Sequence, residues 1–143
     1  MKANLTRSWK TAAIGTAAAG LLIAGASSAF AVGPAVTVTP GNGLSDGAVV
    51  TASAAGFSGG AAVKVEECAM VDQKGVCDTA TVQQATTDAK GSVTAKVTVH
   101  KSFSGLGTDG KQRTVDCSSV DHGCYIGVTG PANSYGYAQI AFK

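Results

Sequence analysis

Charged side chains are scarce, at 14 % of 143 residues, and the eleven basic and nine acidic ones are scattered. No stripe of Lys and Arg forms the electrostatic footprint that grips phosphates, so direct nucleic-acid binding by the protein surface is not expected. Aromatics make up 6 % and the one tryptophan is Trp9. Histidine occurs twice, as His100 and His122. No apolar repeat of helical period follows the first thirty residues, and without a helix no glycine-rich phosphate turn can open one. The one G-x-S-x-G match, Gly56 to Gly60, has no helical period after it, so it lacks the strand-to-helix setting of the usual hydrolase nucleophile.

What is present begins with an export signal. Lys2, Arg7 and Lys10 supply a basic start, Thr11 to Gly25 an apolar run too short to span a bilayer comfortably, and Ala29-Phe30-Ala31 a small-x-small cleavage site. Residues 1–31 are therefore read as a secretory signal peptide, and residues 32–143 as one domain of 112 residues, secreted and free of membrane. Eleven basic residues less the three in the leader leave eight against nine acidic ones, a net charge of −1. Trp9 leaves with the leader.

In the mature part, alternation replaces helical period. Val36 and Val38 stand against Thr37 and Thr39, and Val93, Ala95, Val97 and Val99 against Thr94, Lys96, Thr98 and His100. Turn signals recur about every ten residues, among them Pro40-Gly41-Asn42-Gly43, Asp88-Ala89-Lys90-Gly91 and Gly130-Pro131-Ala132-Asn133. Seven strands are predicted: 35–39, 48–53, 61–68, 81–86, 92–100, 125–129 and 137–142. That spacing suits an all-β, immunoglobulin-like Greek-key sandwich. Its core is expected to rest on Val, Ala, Phe57, Ile140 and Phe142.

Four cysteines in an exported chain are expected as two disulfides. Three pairings can be drawn; the nearest-neighbour one, Cys68 with Cys77 and Cys117 with Cys124, is favoured because each pair brackets turn-like residues. Closing a loop of about ten residues restricts the unfolded chain by roughly 2.5–3 kcal/mol. Each bridge either merely stabilises a small secreted domain or stiffens a hairpin ribbon as one wall of a binding cleft.

Catalytic and metal chemistry find little support. Oxidised cysteines offer no thiolate to a nucleophile or a zinc ion. Ser118, Asp121 and His122 lie within one turn, unlike the sequence-distant partners a functioning triad draws together. Glu66 and Glu67 are adjacent, so a strand sends them to opposite sides; they read as solvated edge charges rather than a carboxylate pair. No catalytic residue, metal site or cofactor in the strict sense is assigned. What remains is a grouping of apolar and hydroxylated residues around the stapled loops: Met70, Val76 and Val82; Phe103, Leu106 and Thr108; Tyr125, Thr129, Tyr135 and Tyr137. Singly these are ordinary packing residues, but together they have the mixture of a concave site for an apolar small molecule.

Several blocks occur in order along the mature chain: Val36-Thr37-Val38-Thr39-Pro40, Gly43-Leu44-Ser45-Asp46-Gly47, Cys68-Ala69 with Cys77, Lys101-Ser102-Phe103-Ser104-Gly105, Val115-Asp116-Cys117 with Cys124, and the run Tyr135 to Phe142. In these the chain resembles the neocarzinostatin family of secreted actinomycete apoproteins. The resemblance implies a seven-stranded sandwich with two disulfide-stapled ribbons flanking a cleft, and no enzyme. It also implies a non-covalent enediyne chromophore, shielded from water and thiols and released to damage DNA, so that DNA is met only through the ligand. A monomer is expected. Met70, Val82 and Thr108 stand where some members carry aromatics, and Tyr125 and Thr129 at sites of polar contacts, so this pocket would be floored by aliphatic side chains and Met. The alternatives are a binder of another apolar small molecule and a structural or adhesive immunoglobulin-like module without cargo.

Overall fold

The computed structural model describes residues 33–143. The signal-peptide reading of residues 1–31 lies outside the described residues. All seven expected strands are present, with ends shifted by a few residues at some. They are β1 (Ala35–Thr39), β2 (Val49–Ala55), β3 (Ala62–Val71), β5 (Gln83–Thr86), β6 (Val93–Thr98), β9 (Cys124–Thr129) and β10 (Tyr135–Ile140). Three more stand outside those seven: β4 (Lys74–Cys77), the returning arm of the hairpin expected between the first two cysteines, and β7 (Ser102–Gly107) and β8 (Gln112–Asp116), which were not expected. Glycine hid β7. Gly105 in β7 faces the β4 backbone so closely that a Cβ would stand 2.6 Å from the Cys77 carbonyl oxygen, so only glycine lets these strands meet.

Two antiparallel sheets result. The smaller has the order β1-β2-β6, and the larger β10-β9-β3-β4-β7-β8, with β5 also pairing with β3. The chain crosses between the sheets from β2 to β3, from β5 to β6 and from β6 to β7. Valine and alanine dominate the facing positions, with Val50, Ala52 and Ala54 from β2, Val63 and Val65 from β3, and Ile126 and Val128 from β9, all buried. Such short side chains let the layers approach closely, and the larger Leu44, Phe57, Phe103 and Ile140 join the same core. Phe142, expected in the core, packs against it half-buried.

Both disulfides are the nearest-neighbour pair: Cys68 with Cys77 and Cys117 with Cys124. The first staples a hairpin, because Cys68 and Cys77 are register partners of β3 and β4. Asp72 and Gln73 turn that hairpin with φ of 50° and 62°, two left-handed residues in succession as a type I′ turn requires. Gly75 lies outside that turn, on β4 opposite Met70. The second disulfide differs from the stapled hairpin that was expected. It ties the end of the β7–β8 ribbon to the start of β9, and β8 and β9 are not hydrogen-bonded neighbours.

β3 is a central strand, and that overturns the reading of its two glutamates as solvated edge charges. Glu67 is 0 % exposed on the inner face. Glu66 is half-buried on the outer face, 3.7 Å from the Lys64 ammonium.

Candidate functional site

Strand parity decides what the larger sheet offers to a ligand. On β3 the residues Val63, Val65, Glu67 and Ala69 point into the core, so Lys64, Glu66, Cys68 and Met70 occupy the outer face. Register carries that face across the sheet: Tyr125 is opposite Cys68, Tyr137 opposite Gly127, and Tyr135 opposite Thr129. On the other side Gly75 is opposite Met70, Cys77 opposite Cys68, and Leu106 opposite Cys77. The floor of the site is therefore the first disulfide, flanked by Met70, Leu106 and the tyrosines.

A cavity of about 370 Å³ opens on this face, lined by Met70, Tyr125, Tyr135, Tyr137 and Gln139 together with Asp121, His122 and Gly123. Its aromatic wall is ordered by mutual contact. The Tyr125 and Tyr137 rings meet edge to face with centroids 5.5 Å apart, and those of Tyr135 and Tyr137 stack at 6.1 Å. The Tyr125 hydroxyl points at the Met70 thioether, 3.8 Å away. Burial, and then the Tyr125 hydroxyl beside it, holds the Tyr135 phenol well above its ordinary titration range. The ring over Gly127 thus stays neutral. Gly127 itself is the space that ring occupies, since a Cβ there would stand 3.1 Å from the Tyr135 hydroxyl. Gln139 Nε2 donates to the His122 carbonyl at 3.1 Å and pins the 121–123 loop to β10.

The two disulfides come together beneath this wall. Cys68 is opposite Tyr125 and the next residue, Ala69, is opposite Cys124, so the bridges are neighbours in register, one on each face of the sheet. The loop closed by the second bridge supplies Asp121, His122 and Gly123 to the cavity rim.

Of the residues expected at the cleft, Met70, Tyr125, Tyr135 and Tyr137 line one cavity. Leu106, 46 % exposed, sits on the same face beyond Cys77. Thr108 closes against β4 through its N–H, which donates to the Gly75 carbonyl at 3.2 Å. Thr129 lies at the far end of the face and lines a separate hollow of about 610 Å³ with Lys64, Gln84 and Thr86. Val82 is half-buried just ahead of β5, outside both hollows. Two expectations fail. Val76 is 0 % exposed and Phe103 7 %, both in the core, because each is one step out of phase with the cleft-facing residues of its strand.

Sequence reasoning missed Gln139, the rim formed by residues 121–123, and the room left by Gly75 and Gly127. Gln139 shares the parity of Tyr137 within the expected strand 137–142, so strand alternation was the signal that could have found it. Nothing local marks the two glycines, whose value is the room they leave. The imagined triad dissolves as well: the Ser118 hydroxyl donates to Asp116 at 2.6 Å. The two acid–sulfur clusters, Glu66 with Cys68 and Cys77 and Glu67 with Cys117 and Cys124, use disulfide sulfurs, which carry no thiolate charge for a metal.

Comparison with known proteins places this geometry. The profile of the neocarzinostatin family matches residues 36–142. The chain is 34 % identical over 130 residues to the antitumor antibiotic C-1027 apoprotein of Streptomyces globisporus, covering 90 % of this chain and 89 % of that one. It is 39 % identical over 111 residues to apokedarcidin of an actinomycete, covering 76 % and 96 %. The solved structure of macromomycin superposes with a TM-score of 0.71 at 38 % identity over 77 % of this chain and 99 % of that one.

Proposed function

The chain belongs to the neocarzinostatin family, and from that premise we propose that it is a secreted carrier apoprotein whose cleft holds an apolar enediyne chromophore without a covalent bond. The complex acts as a DNA-damaging antibiotic, with the chemistry residing in the ligand. The observation that carries this reading is the meeting of Met70, Tyr125, Tyr135 and Tyr137 around a cavity of about 370 Å³, beside the first disulfide in register. That volume is in the range of small-molecule sites, and its lining joins Met70 and three tyrosine rings to the Gln139 amide and a polar rim of Asp121 and His122 that can orient a guest.

Three physical features suit the task. A floor stapled by a disulfide and a wall of mutually packed rings loses little freedom when a ligand arrives, which lowers the cost of association. Apolar walls exclude water and charged nucleophiles from a reactive guest. Affinity then follows apolar area removed from water, at roughly 25 cal/mol per Å² before the association cost. Met70, with its flexible thioether, adapts to whatever ring system lies on it.

We further propose that the leader at residues 1–31 directs secretion, that the protein is a monomer that meets DNA only through its ligand, and that it is not an enzyme. No helix among the described residues is long and apolar enough to cross a membrane.

The test is the native mass of the protein from its producer's culture medium. The expected result is a non-covalent adduct with near-ultraviolet absorbance that organic solvent strips away. A bare polypeptide, or an adduct without an enediyne, would overturn the reading.

A further inference from the structure

β3 carries the cleft on one face and, one residue from Cys68, a carboxyl group sealed in the core on the other. Glu67 is 0 % exposed. Its Oε2 accepts the His100 backbone N–H at 2.8 Å, and its Oε1 lies 3.7 Å from the Cys117 sulfur of the second disulfide. The Glu67 carbonyl accepts the Asp78 N–H at 2.8 Å. The side chain thus joins three parts of the chain at one point: β3, the bend between β6 and β7, and the second bridge.

The charges that act on Glu67 are those of Asp78, just beyond β4 and 3 % exposed, and of Asp46, in the turn ahead of β2. Both are acidic. His100, which supplies the one hydrogen bond, has its imidazole Nδ1 buried without a hydrogen-bond partner. A carboxylate here would be a buried charge with one donor and no cation, an arrangement the core tolerates only in the neutral form. Burial pushes the carboxyl up to about 8, the His100 hydrogen bond opposes this, and Asp78 and Asp46 add to it.

We propose that Glu67 is a proton-dependent latch on the cleft, protonated when the junction of β3, the His100 bend and the second disulfide is closed, and ionised when that junction loosens. The proposal rests on the reading of the outer face as a ligand site. The coupling runs through register. Glu67 is opposite Ile126, Cys68 opposite Tyr125 and Ala69 opposite Cys124, so the cleft tyrosine is held between residues that Glu67 packs behind. When the proton goes to solvent, the negative charge can reach water only by parting the His100 bend from the bridge. The bridge holds the 121–123 rim of the cavity, which follows.

The sign follows from linkage. The folded carboxyl binds its proton more tightly than the unfolded one, whose ordinary value is 4.5. The stabilisation is complete below 4.5 and is lost as pH rises through about 8. Across that window the open population grows roughly tenfold per pH unit.

The experiment follows N-phenyl-1-naphthylamine, a neutral apolar probe, by the ring-proton shifts of Tyr125 and Tyr137, together with amide exchange at His100. Wild type and Glu67→Gln are compared at pH 6 and pH 9. In wild type, His100 protection corrected for intrinsic exchange falls by roughly tenfold or more at pH 9, and probe affinity falls in step with the closed fraction. Glu67→Gln, which keeps the shape of the protonated acid, holds both constant. Asp78→Asn, which removes a like charge, moves the midpoint to lower pH and serves as the second variant should Gln fail to fold. A wild type that is flat, or a Glu67→Gln protein with the same pH response, overturns the latch and leaves the cleft reading intact. A probe that binds neither protein at pH 6 overturns both.

Discussion

Phe103 and Leu106 are three residues apart on β7 and face opposite ways, which makes them a decisive pair. Phe103 is 7 % exposed and packed in the core, whereas Leu106 is 46 % exposed on the cleft side. Phe103→Ala deletes a buried ring and leaves a cavity, at a cost of about 3–5 kcal/mol. For a domain of this size that amounts to a fall of roughly 12–20 °C in melting temperature, at about 4 °C per kcal/mol. Leu106→Ala removes only about half of a leucine's burial, close to 1 kcal/mol and about 4 °C. The order reverses for ligand. An apolar guest lying on the first disulfide covers the exposed half of Leu106, so its truncation weakens binding by about 1 kcal/mol, roughly fivefold. Phe103→Ala, measured well below its own melting point, leaves affinity within about twofold. Urea melts and a native-mass titration with the chromophore or an apolar surrogate read both quantities. Equal melting losses in the two variants, or a loss of affinity confined to Phe103→Ala, would refute the assignment of faces.

The other expectations are briefer. In urea melts between pH 5 and 8, wild-type stability declines by roughly 1.4 kcal/mol per pH unit, since the folded Glu67 carboxyl titrates near 8 and the unfolded one near 4.5, while Glu67→Gln removes most of that slope. Replacing Cys68 and Cys77 by Ala frees a loop with a separation of 9 residues and costs about 2.7 kcal/mol by chain entropy, seen as a lower urea midpoint. The same variant weakens the ligand, because β4, left with its pairing to β3 and two residue pairs to β7, loses the covalent tie beside Met70 and Leu106. Gly127→Ala makes the Tyr135 ring give way by a few tenths of an ångström, since the new methyl would lie 3.1–3.2 Å from its hydroxyl and ring edge; the expected signature is a changed Tyr135–Tyr137 nuclear Overhauser pattern and weaker ligand at a nearly unchanged melting temperature. An unchanged pattern would show that the glycine is not what seats that ring.

Alternation of valine with threonine and the rhythm of turns are local properties, and they were enough to mark seven strands and an all-β sandwich. Cysteine pairing was legible too, because each pair brackets a short polar stretch and the register of β3 with β4 left Cys68 facing Cys77. Parity within a strand was harder. Val76 and Phe103 looked like cleft residues because glycines beside them masked the alternation of β4 and β7, and without alternation there is no inside or outside to assign. Glu67 is the sharpest case. Its sequence neighbours say only that it and Glu66 face opposite ways, and a charged residue on a strand is ordinarily solvated. That β3 runs in the middle of its sheet, with the second disulfide behind it, is a matter of which strands pair across 60 residues of chain. Local chemistry settled the strands and the bridges; only long-range pairing, which no short stretch encodes, decided which side faces water and where a carboxyl must keep its proton.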